Sequence, residues 1–386
     1  MRKVCFVTGS RAEYGLLSGL MKTVKNDSEL KLQIVATNMH LSPEFGLTYR
    51  EIEKDGFTID KKVEMLISSD TAVGTTKSVG VGMLGFADVF EDLKPDLIVI
   101  LGDRYEMLAV VSAALFHKIP VAHISGGDIT EGAYDDCIRH AISKMSHLHL
   151  VTNEESYKRV IQLGEQQDRV FNVGSLGVEN IKNVVPIKKE DLESDLKFKF
   201  GDKSIVVTYH PVTLENHTAK EQIENLLLAL GELNDYCIIF TYPNSDTDGR
   251  VIIEQINKFV DQHKGHCIAC TSLGLKRYLS SLRYVTAVVG NSSSGIAEVP
   301  SFGIPTLNIG DRQKGRLCSD SVCHCGTSLE NIRNGLKSIL SNEFIAKAKQ
   351  THNPYEGVNT TGEILKIIKT YPLENIIEKH FYDINQ

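Results

Sequence analysis

Short, wholly apolar β-rich runs that alternate with longer amphipathic segments are the feature that most constrains the fold of this chain. The runs include KVCFVTG, KLQIVAT and DLIVILG in the first half and SIVVTYH, YCIIFTYP and VTAVVGN in the second. Strands that are apolar throughout, each followed by a helix, are typical of a parallel sheet covered on both faces. The sequence therefore predicts an α/β protein with two doubly wound, Rossmann-like sheets.

The chain has 386 residues, which suggests two domains or more at about 150 residues each. We predict an N-terminal lobe over 1–176 and a C-terminal lobe over 177–365, because the segment 175–190 mixes Gly, Pro and charge. The last segment, about 360–386, is predicted to be helical, and its part 366–386 is expected to complete the first lobe. The helices predicted in the first lobe are 11–26, 45–55, 70–91, 106–116, 131–146 and 154–164.

The charge balance limits the classes of partner. The formal net charge is −7, whereas general nucleic-acid binders and binders of anionic membranes depend on a basic field. No apolar run reaches the roughly 18 residues that cross a bilayer. The N-terminal segment runs into a glycine turn with no small-residue cleavage site, so it is interpreted as a first strand and not as a signal peptide. We therefore expect no nucleic-acid and no membrane partner.

Eight cysteines in a chain of this length are too dilute for a disulfide scaffold. Cys267 and Cys270 form a CxxC, and Cys318, Cys323 and Cys325 follow, which leaves a zinc site as an alternative. However, CIAC lies in an apolar strand-like run, and a structural zinc pair normally sits in a turn. The sequence therefore favours reduced thiols, no metal and a cytoplasmic location.

Ligands of open α/β sheets bind at the carboxyl ends of the strands, so we expect the active site in the cleft between the lobes. GSRAEYG (9–15) follows the first strand, and a tight turn that opens a helix presents N–H groups suited to a phosphate. We predict that Arg11 binds a diphosphate; an exposed surface arginine is the alternative. In GDRYE (102–106), Asp103 is a candidate catalytic carboxylate and Arg104 a candidate phosphate ligand, against a plain helix start with a solvated arginine. The GxGxxG dinucleotide motif is absent, which disfavours a dehydrogenase.

The densest group of acids and imidazoles lies in HISGGDITEGAYDDCIRH (123–140). Its glycine pair permits a sharp loop, and its two adjacent aspartates begin a helix, where the dipole alone also favours them. Acids and imidazoles in one loop shift each other's pKa values, as general acid–base catalysis requires. A metal site at His123, Asp128, Asp135 and His140 is the alternative, although no recognised ligand spacing is present. The candidate catalytic residues are His123, Asp128, Glu131 and Asp135.

Three motifs end strands of the second lobe: YHP (209–211), YPNSD (242–246) and GNSSSG (290–295). Small hydroxyls and exposed amides at a helix N-terminus suit an anion, although a plain helix cap is the alternative. Glu298, one turn later, lies where a carboxylate can accept two ribose hydroxyls. DRQKGR (311–316) adds a basic patch.

Together these stretches resemble the hydrolysing UDP-N-acetylglucosamine 2-epimerases. The resemblance runs from residue 3 to about residue 316 and is carried by GSRAEYG, LGDRYE, the stretch 123–150, GSLGVEN, YHP, NSSSGIAEVPSFGIP and NIGDRQKGR. It implies the two-lobed glycosyltransferase-B fold. It also implies conversion of UDP-N-acetylglucosamine and water to N-acetylmannosamine and UDP for sialic acid synthesis, without a cofactor.

The resemblance also implies roles for single residues. UDP would lie on the second lobe, with Arg11 reaching across from the first. Relatives often carry an acid where this chain has Ser125, so the identity of the catalytic base stays open. The acids tied to the chemistry are Asp103, Glu131 and Asp135, and the UDP-binding residues are His210, Ser292 and Ser293 for the phosphates, Glu298 for the ribose, and Asn244 and Arg312 for the rest of the nucleotide.

The predicted reaction is an elimination, because H2 of the sugar is not acidic until the C1–O bond ionises. The intermediate is a 2-acetamidoglycal, to which water then adds. One alternative is the epimerase of the legionaminic acid pathway, which acts on a UDP-2,4-diacetamido-trideoxy sugar. The others are a non-hydrolysing epimerase, a glycosyltransferase, and a catalytically inactive module that binds or senses a UDP-sugar. The segment 70–91 is apolar enough to pack against another subunit, and relatives are commonly dimers or tetramers. We therefore expect a homodimer or homotetramer.

Overall fold

Two separate parallel β-sheets organise the chain, which confirms the predicted fold class. The computed structural model describes residues 1–215, 218–244, 246 and 248–384. These residues divide into two units, each built around one sheet. Unit 1 comprises Met1–Asp128, Asp135–Asn180 and Tyr355–Gln386, and unit 2 comprises Ile129–Tyr134 and Ile181–Pro354.

Unit 1 is built around a seven-stranded sheet with the strand order β3-β2-β1-β4-β5-β6-β7. Its strands are β1 (Arg2–Thr8), β2 (Leu30–Thr37), β3 (Lys61–Val63), β4 (Leu97–Leu101), β5 (Val121–Ile124), β6 (Leu148–Val151) and β7 (Val170–Asn172). Its helices are α1 (Arg11–Asn26), α2 (Tyr49–Lys54), α3 (Ala72–Leu93), α4 (Tyr105–Phe116), α5 (Asp135–Met145) and α6 (Glu154–Gln162), followed by α7 (Leu176–Asn183), which carries the boundary between the units.

Strand β1 shows why the strands of this sheet are apolar throughout. Val4 and Phe6 pack into the core on one face of the sheet, while Cys5 and Val7 pack into the core on the other. The register pairs Cys5 with Ile98 of β4 in a parallel ladder. Because both faces are covered by helices, no position from Val4 to Thr8 is left for a solvated side chain, and only Arg2 and Lys3 at the start of β1 are half-exposed.

Unit 2 is built around a six-stranded parallel sheet with the order β10-β9-β8-β11-β12-β13. Its strands are β8 (Ser204–Thr208), β9 (Cys237–Thr241), β10 (Cys267–Cys270), β11 (Ala287–Gly290), β12 (Thr306–Ile309) and β13 (Val322–Cys325). Its helices are α8 (Lys189–Leu196), α9 (Ala219–Gly231), α10 (Gly249–Gln262), α11 (Gly274–Ser281), α12 (Ser294–Ala297), α13 (Leu329–Ile339) and α14 (Asn342–Ala348). The last helix of the chain, α15 (Thr360–Thr370), lies in unit 1.

The boundary between the units falls between Asn180 and Ile181, within α7, whereas the sequence indicated 176 and 177. The amide of Asn180 donates to the carbonyls of Gly15 and Leu16 in α1, at 3.3 Å each. These hydrogen bonds attach the first half of α7 to unit 1. The chain returns to unit 1 at Tyr355, where the Ser175 N–H donates to the Tyr355 carbonyl at 3.0 Å, whereas the sequence indicated 366.

The C-terminal tail differs from the helix predicted over 360–386. It is helical only over Thr360–Thr370, and the described residues beyond it form one turn at 374–377 and otherwise irregular structure. This later part is held by side chains of unit 1: the guanidinium of Arg169 donates to the Ile376 carbonyl at 2.8 Å. Carbonyls that bond to distant side chains do not complete a helical ladder, which explains the difference.

Helix α5 also begins later than predicted, at Asp135 instead of 131. Residues 129–134 group with unit 2, because the Glu131 N–H donates to the Lys314 carbonyl at 3.0 Å. In the described part of the chain, no helix has both the length and the apolar character that crossing a membrane requires.

Candidate active site

The order of the strands identifies where a ligand can bind on each sheet. Chain order reverses between β1 and β4 in unit 1 and between β8 and β11 in unit 2. At such switch points the loops after the two strands diverge and leave a crevice at the carboxyl edge. All four loops at these points belong to motifs that the sequence singled out: GSRAEYG, GDRYE, YHP and GNSSSG.

The turn after β1 is closed by two hydrogen bonds at the start of α1. The Ser10 hydroxyl accepts from the Glu13 N–H at 3.4 Å, and the Glu13 carboxyl accepts from the Gly9 N–H at 2.6 Å. Burial, with the nearby charge of Glu106, raises the pKa of Glu13 to about 8. Arg11 is the first residue of α1, and its Nε pairs with the Glu51 carboxylate at 2.7 Å. Arg11, which the sequence predicted to bind a diphosphate, is therefore oriented by Glu51 on α2.

The loop after β4 carries the second predicted pair. Gly102 adopts φ +80°, a left-handed conformation that suits glycine, and aims the chain at Asp103. Arg104 precedes α4, and its Nε donates to the Glu106 carboxylate at 2.9 Å. Asp103 forms an ion pair with the buried guanidinium of Arg139, yet its side chain stays 24% exposed. Asp103 is therefore an anchored carboxylate that a ligand can still reach.

His123 is fully enclosed on β5. Its Nε2–H donates to the Gly102 carbonyl at 2.7 Å, and its Nδ1 lies 3.2 Å from the Ser143 hydroxyl. Burial lowers the pKa of His123 to about 4, so the ring is neutral at physiological pH. Both ring nitrogens are engaged within the protein, an arrangement that suits holding the loop of Asp103 better than exchanging protons with a ligand.

Asp128 is buried, and its carboxylate faces the start of α6. It accepts from the Ser156 hydroxyl at 2.7 Å and from the Asn153 amide at 3.3 Å. Asn153 is itself the N-cap of α6, where its side chain accepts from the Ser156 N–H. Asp128 therefore ties the glycine loop after β5 to the cap of a neighbouring helix.

Asp135 and Asp136 form the first turn of α5, as predicted. Asp135 is buried at the helix N-terminus, where the macrodipole favours a carboxylate. Asp136 pairs with Arg139 at 3.3 Å and with His140 at 3.5 Å. Arg139 also donates to the Asp128 carbonyl at 2.9 Å. One buried guanidinium thus joins the loop after β4 to the acidic stretch after β5.

Glu131 lies in unit 2, together with the other residues of 129–134. Its carboxylate lies 3.3 Å from the Lys314 ammonium and is 53% exposed. Gly132 runs so close to the backbone at Asp311 that a Cβ there would collide with it. Glu131 is therefore packed with the basic loop 311–316 of unit 2.

In unit 2, Asn291 forms hydrogen bonds with several residues of the predicted nucleotide site. Its amide oxygen accepts from the His210 N–H at 2.7 Å, and its amide nitrogen donates to the His210 carbonyl at 2.8 Å. Gly290 before it has φ +136° and approaches the backbone at Thr208 too closely for any side chain. The ends of β8 and β11 are thereby locked together, with His210 at their edge.

Asn244 and Arg312 lie at the same edge. The Asn244 N–H donates to Nδ1 of His210 at 3.5 Å. The Asn291 carbonyl accepts from Arg312 at 3.3 Å and from the buried Gln313 amide at 3.1 Å. The structure therefore brings together three of the residues predicted for the nucleotide. Ser245 of the YPNSD motif lies outside the described residues.

The GNSSSG motif opens a helix that is shorter than predicted. Helix α12 spans only Ser294–Ala297 and is followed by a 3₁₀ turn, so Glu298 follows the helix and does not lie within it. Ser292 is half-buried, Ser293 is exposed, and the Ser292 hydroxyl accepts from the Ser294 N–H at 3.4 Å. Burial raises the pKa of Glu298 to about 7.

Two residues at these sites were not assigned roles from the sequence. Arg139 and Asn291 both lie within motifs that the sequence indicated, but their importance comes from partners far away in the chain. No group of three or more His, Cys, Asp or Glu side chains in the described ranges is arranged to hold a metal ion. The eight cysteines are free thiols.

The sequence model of a family described as UDP-N-acetylglucosamine 2-epimerase matches residues 22–369. A Campylobacter jejuni protein named GDP/UDP-N,N′-diacetylbacillosamine 2-epimerase (hydrolyzing) is 44% identical over 384 residues, which cover 99% of each chain. A polysialic acid biosynthesis protein of Escherichia coli is 38% identical and covers 100% of this chain and 98% of its own.

Among solved structures, the UDP-GlcNAc 2-epimerase from Neisseria meningitidis, bound to UDP-GlcNAc, shares the fold with a TM-score of 0.78. The two sequences are 19% identical, and the likeness covers 95% of this chain and 99% of the other.

Proposed function

We propose that this chain, which belongs to the UDP-N-acetylglucosamine 2-epimerase family, hydrolyses a UDP-linked N-acetylated amino sugar to UDP and the free sugar inverted at C2. The observation that carries the proposal is the 44% identity, over the full length of both chains, to a relative named as a hydrolysing 2-epimerase. The acidic loops of unit 1 and the anion-binding loops of unit 2 supply groups that such a reaction requires.

In this proposal the nucleotide is bound by unit 2. His210, Ser292 and Ser293 hold the phosphates, with Arg11 and Arg104 of unit 1 as further cationic partners. Asn244 and Arg312 contact the rest of the nucleotide, and Glu298 accepts the ribose hydroxyls. These donors neutralise the charge that develops on UDP as the C1–O bond breaks, which lowers the barrier to cleavage.

The chemistry proceeds as an elimination followed by a hydration. The electron pair of the C1–O bond leaves with UDP, and the developing oxocarbenium ion acidifies the proton at C2. A carboxylate removes that proton and forms a 2-acetamidoglycal. Water then adds a hydroxyl at C1 and a proton at C2 on the face that inverts the configuration.

We propose Asp103 and Asp135 for these proton transfers. Asp103 is anchored by Arg139 and remains partly exposed. Asp135 lies at the N-terminus of α5, in the same acidic stretch. Asp128 already accepts two hydrogen bonds from the start of α6, and the Glu131 carboxylate pairs with Lys314, so both serve better as positioning residues. His123 holds the Gly102 carbonyl in place beside Asp103.

For the sugar, we propose UDP-N,N′-diacetylbacillosamine, the UDP-2,4-diacetamido-trideoxy sugar that the sequence analysis gave as an alternative. The Campylobacter relative is named for the GDP- and UDP-linked forms of N,N′-diacetylbacillosamine. UDP-N-acetylglucosamine, which would yield N-acetylmannosamine for sialic acid synthesis, is the second candidate. It is favoured by the 38% identity to the polysialic acid biosynthesis protein. The two sugars differ at C4 and C6, while the C1 and C2 chemistry is the same.

Turnover of the two UDP-sugars, compared by NMR of the products together with an assay of free UDP, tests the proposal. We expect free UDP and a C2-inverted free sugar, with the larger kcat/KM for the diacetylated sugar. A C2-inverted sugar still attached to UDP would instead identify a non-hydrolysing epimerase. Unchanged UDP-sugar in both reactions would contradict the proposed activity.

A further inference from the structure

The side chain of Asn291 has no part in the proposed function so far, although it lies at the switch point of the second sheet. Strands β8 and β11 pair in parallel, and their ladder ends where Gly290 lies opposite Thr208. The Asn291 N–H donates to the Thr208 carbonyl at 3.1 Å, one residue beyond the end of β11. His210 lies two residues beyond the end of β8, past the last pair of this ladder.

The Asn291 amide bonds to the backbone of His210 as a neighbouring strand would. Its oxygen accepts from the His210 N–H at 2.7 Å, and its nitrogen donates to the His210 carbonyl at 2.8 Å. Because a backbone N–H only donates and a carbonyl only accepts, these partners fix the orientation of the amide. Both residues are buried, and buried backbone groups need partners. One side chain therefore satisfies both backbone groups of His210.

Asparagine is the residue type that this arrangement requires. An aspartate carboxylate could accept from the His210 N–H but could not donate to its carbonyl, and an aliphatic side chain could do neither. The left-handed Gly290, at φ +136°, lies too close to the Thr208 backbone for any side chain and so brings position 291 beside His210. The next residue, Pro211, favours an extended backbone at His210, which suits strand-like pairing.

The imidazole of His210 takes its place from this backbone. The Asn244 N–H donates to its Nδ1 at 3.5 Å, a long contact that holds the ring less firmly than the two shorter bonds hold the backbone. The Asn291 carbonyl also accepts from Arg312 at 3.3 Å. Asn291 thus connects two of the residues that are proposed to contact the nucleotide.

We propose that Asn291 is a positioning residue that holds His210 where it binds the phosphates, and so determines how strongly the protein prefers a nucleoside diphosphate to the nucleoside alone. This rests on the proposed function, in which His210 is a phosphate ligand. A donor that is already held in place loses little freedom when the ligand binds, whereas a mobile donor must first be ordered. Asn291 acts through His210 and not on the substrate itself.

The experiment measures affinity for UDP by calorimetry and for uridine by NMR titration, in the wild type and in Asn291→Ala. We expect the wild type to bind UDP about a hundredfold or more tighter than uridine, since several hydrogen bonds go to charged phosphates. Asn291→Ala should weaken UDP binding by about tenfold, the contribution of one hydrogen bond to a charged group. Its affinity for uridine should change by less than about twofold.

Stability alone does not test the role, because Asn291→Ala leaves two buried backbone groups without partners and should lower the melting temperature in any case. The ratio of the two affinities is the measurement that distinguishes positioning from a loss of stability. Asn291→Ser keeps a hydroxyl that can form one of the two hydrogen bonds. It should show a smaller loss, again confined to UDP, and it serves if Asn291→Ala does not fold.

His210→Ala tests whether Asn291 acts through the histidine. This variant should itself lose about tenfold in UDP affinity, and adding Asn291→Ala to it should cost little more. The matched control is Asn225→Ala, which removes an amide of α9 that donates to the Thr327 carbonyl at 3.2 Å. The control should keep the wild-type ratio of the two affinities.

The possible results bear differently on the two proposals. An Asn291→Ala variant that keeps the wild-type ratio, or that loses the same factor again in the His210→Ala background, overturns the positioning role and leaves the proposed function intact. A His210→Ala variant with wild-type affinity for UDP also overturns it, because His210 would then hold no phosphate. A wild type that binds neither UDP nor uridine overturns the proposed function, and the positioning role with it.

Discussion

Two buried glutamates flank Gly9 at the carboxyl end of β1. Glu13 accepts from the Gly9 N–H, and the Glu106 side chain fills the space that a Cβ on residue 9 would need. Glu106 is paired with Arg104, whereas burial and the charge of Glu106 keep the pKa of Glu13 near 8. Glu13 is therefore protonated at neutral pH and occupies its site as a neutral acid.

We predict that Glu13→Gln makes the stability of the protein less dependent on pH. The pKa of Glu13 in the folded protein lies above its ordinary value near 4.5. The ionisation of Glu13 therefore leaves the free energy of unfolding unchanged below pH 4.5 and lowers it progressively as pH rises to about 8. The loss is on the order of a few kcal/mol. Thermal unfolding at pH 5 and pH 8 should show the variant gaining relative to the wild type at the higher pH.

The control for this experiment is Glu53→Gln, which changes an exposed glutamate that pairs with Lys62 at 3.0 Å. Its difference in melting temperature from the wild type should be small at both pH values, since surface ion pairs contribute little. A Glu13→Gln variant with the same offset at pH 5 and pH 8 would contradict a protonated Glu13.

The two aspartates Asp103 and Asp128 should respond differently to replacement by asparagine. We expect Asp103→Asn to lower kcat by about 10²- to 10⁴-fold, the usual contribution of acid–base catalysis, with UDP affinity nearly unchanged. Asp128→Asn should mainly lower the melting temperature, because it disturbs two hydrogen bonds to the start of α6. Steady-state kinetics, calorimetry and thermal unfolding distinguish the two, and wild-type turnover by Asp103→Asn would refute its assignment.

At the residue scale, the sequence was informative where function depends on position after a strand. Arg11, Asp103 and His210 were predicted as site residues because each follows an apolar run, and each lies after a strand in the structure. Arg139 and Asn291 were missed because their partners, Asp103 and His210, are distant in the sequence. Glu131 groups with Lys314 through backbone contacts that no local pattern encodes.

At the element scale, a buried carboxylate takes part in attaching the segment after α15 to unit 1, beside the contacts of Arg169. Glu165 accepts from His149 at 2.9 Å, from Lys144 at 2.8 Å and from Lys379 of the tail at 2.6 Å. Burial alone would raise the pKa of Glu165, but these three donors outweigh it and lower the pKa to about 2. Lys379 also donates to the Ser146 carbonyl at 2.6 Å.

We predict that Lys379→Met releases the tail without unfolding unit 1. The change removes one of three donors to a buried carboxylate, which costs roughly 1–3 kcal/mol. Hydrogen exchange followed by mass spectrometry should show faster exchange in residues 371–384, while the strands of both sheets keep their protection. Glu374→Gln, at an exposed position of the same tail, should leave exchange unchanged. Equal tail exchange in the wild type and Lys379→Met would contradict the role of Glu165.

The strands and helices also show which local sequence patterns were enough to predict secondary structure. The strands were predictable because helices cover both faces of each sheet, which requires apolar residues at successive positions. The predicted helix 106–116 agrees with α4 within one residue. The tail beyond Thr370 was predicted to be helical, but Arg169, Lys379 and Glu165 hold it in a non-helical conformation. Side chains outside a segment can override its helical pattern, and sequence periodicity does not report them.

At the scale of the whole molecule, α3 and α4 expose large apolar side chains. Leu84 is 75% exposed and Phe116 is 77% exposed. Such side chains on neighbouring helices are typical of a surface that another subunit covers. We therefore keep the expectation, made from segment 70–91, that the protein forms a homodimer or homotetramer.

The double variant Leu84→Glu/Phe116→Glu tests this expectation. Sedimentation velocity should show a dimer or tetramer for the wild type and a shift towards monomer for the variant, because burying two carboxylates opposes association. Leu228→Glu changes an exposed leucine of unit 2 and should leave the oligomeric state as it is. A wild type that sediments as a monomer would contradict the expectation.

The central claim is that a hydrolysing 2-epimerase breaks the C1–O bond and exchanges the proton at C2 with solvent. The most direct measurement is NMR of the free sugar produced from the UDP-sugar in heavy water. The account predicts one deuterium at C2, inverted configuration at that carbon and one equivalent of UDP. A C2-inverted sugar that retains its original hydrogen at C2 would contradict it, because no carboxylate would then have removed that proton.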